Sequence, residues 1–230
     1  MSPVRRRYAP AHVGGTSVAH FAPDQSATTL DFQPGDFILT HGDSFLSRFI
    51  RWGQSFAFWG RNRKYIWWSH AALIVSPGGE LIEAVGGGVQ RSYLSHYAPT
   101  DYHVVRLNEL ADEGDRVQIC RFAEWSLKQE YGLLTNLSII ISVLTGCRLT
   151  FGFDGQSTCS GLVARALERG SAIFDRSPSH ILPADLAKYF SVEPPPKGSQ
   201  KGKRPQHKIP KKPRQSTTES PPKAEMTPPA

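Results

Sequence analysis

At 230 residues and 39% hydrophobic content, the chain is long enough for one sizeable core with a small appendage. Its formal charge of +7 sits at one end: residues 194–230 hold nine Lys/Arg against two Glu, so the preceding residues balance and carry no excess that would single out an anionic ligand. Three cysteines are too few for a disulfide scaffold, and Cys120, Cys147 and Cys159 lack the spacing of a zinc site.

The thiols therefore read as free, in a reducing compartment, and no metal or other cofactor is expected. Arg5-Arg6-Arg7 is followed by Tyr8-Ala9-Pro10 rather than an apolar run, so no signal peptide is expected. The most apolar stretch, 137–144, is too short to span a bilayer. The expected location is cytoplasmic, with secretion by a signal-independent route left open.

Residues 1–30 are rich in Ala, Ser, Thr, Pro and Gly without a period and read as a mobile arm ahead of a domain at 31–193. Order begins at the turn Gln33-Pro34-Gly35-Asp36, followed by a strand over Phe37–Thr40. Asp43 or Ser44 then caps a short helix through Phe45, Leu46, Phe49 and Ile50. Trp52, Phe56, Phe58, Trp59, Tyr65, Trp67 and Trp68 follow, with Arg61, Arg63 and Lys64 between them. That mixture suits a nucleic-acid surface, but the reading taken is a loop whose rings cover a core edge.

The clearest supersecondary element is a hairpin. Trp68–Val75 is an apolar strand, Ser76-Pro77-Gly78-Gly79 a turn, and Glu80–Val85 the return strand. With the turn centred between Pro77 and Gly78, His70 lies opposite Val85 and Glu83 falls diagonal to it on the same face. A one-residue slip would separate the two, so the pairing depends on register. Gly86-Gly87-Gly88 leads into a short strand at Val89-Gln90-Arg91 and lacks the Lys and Ser/Thr of a phosphate loop. A further strand covers 102–107, helices cover Asp112–Gln129 and Leu133–Leu144, and Pro183 opens a last short helix.

Ser157-Thr158-Cys159-Ser160-Gly161-Leu162-Val163 reads as a polar cap entering a helix that Gly170 stops. Cys159 then stands at the helix N-terminus, where unpaired N–H groups and the helix dipole favour a thiolate. The ordinary alternative is a small buried apolar residue. From Pro194 onward, ten prolines in 37 residues and little apolar content predict a disordered tail, 194–230. Its charge suits an anionic polymer or a membrane surface, or simply keeps the chain soluble.

Thr158-Cys159-Ser160-Gly161-Leu162-Val163 resembles the nucleophile motif of the NlpC/P60 superfamily of papain-like cysteine peptidases, usually Asp-Cys-Ser-Gly-Leu-Val. In the ordinary family order the cysteine comes first. Here Ser69-His70-Ala71 and the Glu83 strand precede it, which resembles the circularly permuted branch that includes the YiiX/YebB-like and lecithin:retinol acyltransferase-like proteins. The resemblance covers about 33–190. It implies an α+β, circularly permuted papain-like fold, with an antiparallel sheet packed against helices and the nucleophile at a helix N-terminus.

It implies equally a cysteine hydrolase that cleaves an amide or peptide bond through Cys159, His70 and Glu83 and a thioester acyl-enzyme. Thr158 departs from the usual Asp. Glu83 matches the YiiX-like members, whereas the acyltransferase branch favours a second histidine, and His41, His96 and His103 stand in no matching motif. Tyr131 is the counterpart of a site-lining tyrosine in the unpermuted family, although a core tyrosine is the plainer reading.

The expected substrate is a peptide or acyl amide, with peptidoglycan and lipid both open and no specific nucleic-acid recognition. Two other classes compete: a lipid-directed acyltransferase or thioesterase, for which the Trp52–Trp68 aromatics would line an apolar trough, and a non-catalytic binding module.

Overall fold

The structure, a computed structural model, describes residues 15–42, 44–85, 88–127, 158–170 and 172–195. Among these it is a mixed α+β fold around one six-stranded antiparallel sheet. The strands are β1 (Ser17–Phe21), β2 (Phe37–Thr40), β3 (His70–Ile74), β4 (Glu80–Val85), β5 (Gly88–Tyr93) and β6 (Tyr102–Arg106), in spatial order β1-β6-β2-β3-β4-β5. The helices are α1 (Phe45–Ala57), α2 (Glu113–Ser126), α3 (Cys159–Arg169) and α4 (Pro183–Tyr189). The residues expected to form a helix at 133–144, together with Tyr131 and Cys147, lie outside the described residues, as does the tail from 196.

Strand β2 reads Phe-Ile-Leu-Thr without alternation because it lies between β3 and β6 and is buried on both faces. The two faces feed separate cores. Phe37, Leu39, Ala71, Leu73, Ile82 and Ala84 pack with Leu162, Val163 and Ala166 of α3 and Ile119 of α2. Ile38, Ala72, Ile74, Leu81, Tyr102 and Val104 pack beneath Phe32 and Leu94. The β3–β4 ladder pairs Leu73 with Ile82 and Ile74 with Leu81, the register that the Ser-Pro-Gly-Gly turn dictates. Gly79 closes that turn at φ +78 and donates to the Ser76 carbonyl (3.1 Å).

Three expectations need correction. The expected arm at 1–30 contains β1, which pairs along β6 from Ser17↔Arg106 to Phe21↔Tyr102. Beyond it the Ala27 amide donates to the Tyr102 hydroxyl at 2.8 Å. An edge strand with one exposed side has no continuous apolar run to announce it, and its order comes from the β6 ladder. The first helix does not stop near Ile50 but runs to Ala57, capped by the Ser44 hydroxyl, which accepts from the Ser47 amide at 3.1 Å.

The aromatic stretch is consequently the end of a helix and the 3-10 helix Gly60–Trp67, not a loop. Its rings also divide: Phe58, Tyr65 and Trp68 are buried, while Trp52, Phe56 and Trp59 face outward.

Asp36 and Arg116 join the start of β2 to α2. The Asp36 carboxylate accepts from Arg116 Nη1 (2.9 Å), from the Leu107 amide (2.9 Å) and from the Gln33 amide (2.8 Å). Arg116 Nη1 also donates to the Pro34 carbonyl at 2.9 Å. Gly35 stands at φ +93, and a Cβ there would come within 3.2 Å of Arg116 Cγ, so this turn takes glycine for its backbone angle and for its clearance. Gly35-Asp36 thus closes a buried ion pair rather than a reaction centre.

Candidate active site

Two elements converge at one end of the sheet. Strand β3 begins at His70, after the Ser69 amide donates to the Thr40 carbonyl (3.1 Å) and the Ser69 hydroxyl accepts from the Gly42 amide (2.9 Å). Gln54 of α1 braces the same corner: its Nε2 donates to the Trp68 carbonyl (2.8 Å) and its Oε1 accepts from the Ala184 amide (2.9 Å). Helix α3 arrives with Cys159 as its first residue.

The start of α3 is built by the residues around the thiol. Thr158 is the N-cap, and its hydroxyl accepts from the Gly161 amide at 3.0 Å, a contact worth about 1 kcal/mol. The Ser160 hydroxyl donates to the Ile181 carbonyl at 2.6 Å and ties the first turn to the chain ahead of α4. At Gly161 a Cβ would sit 2.8 Å from the Thr158 hydroxyl and 3.0 Å from the Pro178 carbonyl, so glycine lets that backbone pass close over the helix. Thr158, Ser160 and Gly161 in this motif therefore each have local structural work to do.

His70 Nε2 lies 2.6 Å from Glu83 Oε2, across the hairpin. His70 also hydrogen-bonds the Cys159 thiol. With Nε2 engaged by Glu83, Nδ1 is the ring nitrogen left for sulfur. Burial opposes the imidazolium, but the Cys159 charge and hydrogen bond, then Glu83, overcome it and raise the His70 pKa to about 10.

Burial likewise opposes the thiolate. The His70 charge and hydrogen bond, with the Ala71 and Ser160 amides, outweigh it and lower the Cys159 pKa. Glu83, pushed upward by burial, is drawn down to about 2 by its bond to His70 and by His70's charge. A thiolate, an imidazolium and a carboxylate in a row are thus each held ionised by the next.

Tyr97 was not singled out by sequence reasoning. It ends the 3-10 helix Leu94–Tyr97, stacks on His70 with ring centroids 6.1 Å apart, and donates its phenol to Glu83 Oε2. Burial and the Glu83 charge push the phenol well above its ordinary value of 10.0, so it stays a donor and fixes the carboxylate. Nothing in Leu94-Ser95-His96-Tyr97 marks it as a motif; only the return of the chain after β5 brings it here.

Cys159 is 9% exposed as a residue and the His70 side chain 17%. Cys120 differs: burial pushes its thiol up to about 11.

His41, His96 and His103 have partners of their own. His41 stacks on Trp67 at 3.7 Å, and its Nδ1 lies 2.8 Å from the Trp67 carbonyl. His96 meets Tyr93 edge-on. His103 lies between the rings of His20 and Trp68, each 4.6 Å away, and burial drops its pKa to about 3. Among the described residues, Glu83 is the carboxylate that contacts His70.

Among the described residues no cluster of His, Cys, Asp and Glu is arranged to hold a metal, and no helix is long and apolar enough to cross a membrane. Comparison of the sequence with protein-family models and with curated proteins finds no match.

Proposed function

We propose that the chain is a cysteine hydrolase acting on an amide or peptide bond, with Cys159 as nucleophile, His70 as proton carrier and Glu83 as the group that orients and charges the imidazole. The observation that carries this reading is His70 bridging a helix-start thiol and a buried carboxylate. We place it, on the Thr158–Val163 motif and the order His70, Glu83, Cys159, with the circularly permuted NlpC/P60 proteins, YiiX/YebB-like branch.

The Cys159 thiolate attacks the carbonyl carbon, and charge moves onto the carbonyl oxygen. The Cys159 amide, first of α3 and without an intrahelical acceptor, is a donor for that oxygen. His70 gives its proton to the departing amine as the C–N bond breaks, leaving a thioester. Neutral His70 then takes a proton from water, whose oxygen attacks the thioester; thiolate and carboxylic acid are released and the imidazolium is restored.

The test is turnover of amide against ester and thioester substrates by the unsubstituted chain and by Cys159→Ala, whose activity is expected to vanish while its thermal midpoint holds. Retained amidase activity in Cys159→Ala overturns the assignment. Preference for esters or thioesters transfers the same machinery to the acyltransferase class.

Glu83→Gln keeps the size of the side chain and removes its charge. The imidazolium loses support, its raised pKa falls toward the ordinary value, and the thiolate loses part of its counter-charge. The acid limb of Cys159 alkylation by iodoacetamide should therefore move to higher pH. An unmoved limb would show that Glu83 contributes nothing to the pair.

A further inference from the structure

We infer that the outward face of α1 and the 3-10 helix after it is a docking surface for an anionic lipid bilayer. In α1, Phe49, Trp52 and Phe56 recur three and four residues apart and so share one helix face. Their rings contact each other in series, with centroids 5.7 Å apart for Phe49–Trp52 and 5.0 Å for Trp52–Phe56. Trp59 continues the ridge just beyond the helix. Trp52 is 52% exposed, Phe56 51% and Trp59 74%. The opposite side of the helix is spoken for, since Gln54 is buried against the Trp68 carbonyl and the Ala184 amide.

Charge decides the occupant. Residues 44–79 contain five Lys/Arg and no Asp or Glu. Arg48, Arg61, Arg63 and Lys64 are exposed around the ridge. Lys64 pairs with Glu193, so the chain leaves the described residues beside this face and continues into the segment with nine Lys/Arg. Exposed indole and phenyl rings ringed by cations match the interfacial region of an anionic membrane, with rings at the acyl boundary and guanidinium groups among the phosphates. A second copy of the chain would bring the same positive face against itself. A single-stranded nucleic acid stacks its bases on rings that line a groove, whereas these rings stand on a convex helix and cover one another.

The proposal is independent of catalysis at Cys159. Its test uses the full chain with vesicles of phosphatidylcholine alone, with added phosphatidylglycerol, and with brominated acyl chains, beside a single-stranded oligonucleotide. The unsubstituted chain should sediment with the anionic vesicles at low salt, and bromine should quench its tryptophan fluorescence. Trp52→Ser with Phe56→Ser should weaken vesicle binding about tenfold or more. Arg61→Ser with Arg63→Ser should weaken it roughly tenfold at low salt and less at high salt. Trp125→Ser, an exposed indole on α2, should change nothing.

Unchanged binding by the Trp52/Phe56 variant, absence of bromine quenching, self-association through this face, or capture of the oligonucleotide in place of vesicles each overturns the proposal. Quenching of the unsubstituted chain decides the matter without any variant. The Cys159 alkylation profile, measured on the same samples, reports separately on the catalytic reading.

Discussion

At about pH 5 the His70→Ala chain is expected to react with iodoacetamide at Cys159 roughly 10- to 100-fold more slowly than the unsubstituted chain. The choice of pH matters. Without His70, burial raises the thiol with only the Ala71 and Ser160 amides to oppose it. Each unit by which the pKa rises lowers the thiolate fraction tenfold on the acid side. It also makes the surviving thiolate about threefold more nucleophilic. Near neutral pH these effects can nearly cancel, and a single rate there would mislead. Well below neutrality the fraction dominates, by about threefold for each unit of depression that His70 had supplied.

The unsubstituted chain should therefore keep its Cys159 reactivity into acid, where His70→Ala loses it. Cys120, whose thiol is raised to about 11, should be slow in both chains and serves as the internal reference. Identical acid limbs for the two chains would mean that sulfur and imidazole do not share a proton, and the proposed hydrolase would fail with them.

The parts of this centre that could be read in the sequence are those fixed by local rules. A four-residue Ser-Pro-Gly-Gly turn sets the β3–β4 register, and register alone puts His70 and Glu83 on one face. A polar cap before an apolar helical repeat places Cys159 at the start of α3. What could not be read depends on partners far along the chain. Tyr97 reaches Glu83 only because β5 turns back over β4. β1 has three exposed positions, Ser17, Val18 and His20, in a five-residue stretch and takes its order from β6, some 80 positions later. Trp52, Phe56 and Trp59 lie beside Phe58, Tyr65 and Trp68 in the sequence, yet the first three face outward and the last three are buried. Helical geometry keeps residues three and four apart on one face, so Trp52 and Phe56 turn outward together while Phe58, at the helix end, is buried.

Asp36 makes the same point and supplies the second large effect. As sequence, Gly35-Asp36 is a turn before a strand; its partner Arg116 is 80 residues away. Asp36→Ala should lower unfolding free energy by about 3–5 kcal/mol in a denaturant titration, since it leaves a buried guanidinium without its counter-charge and two backbone amides without an acceptor. Arg116→Met should cost a comparable amount through the uncompensated carboxylate. In the double variant no buried charge is left unpaired, so its loss should fall short of the summed single losses by about 1.5 kcal/mol or more.

Additive losses would show that the two side chains do not act as a pair. The acid limb of Cys159 alkylation should stay in place in the folded fraction of all three variants, because Asp36 and Arg116 brace β2 against α2 and contact neither His70 nor Glu83. A limb that moved with Asp36→Ala would instead make this ion pair part of what holds the thiolate.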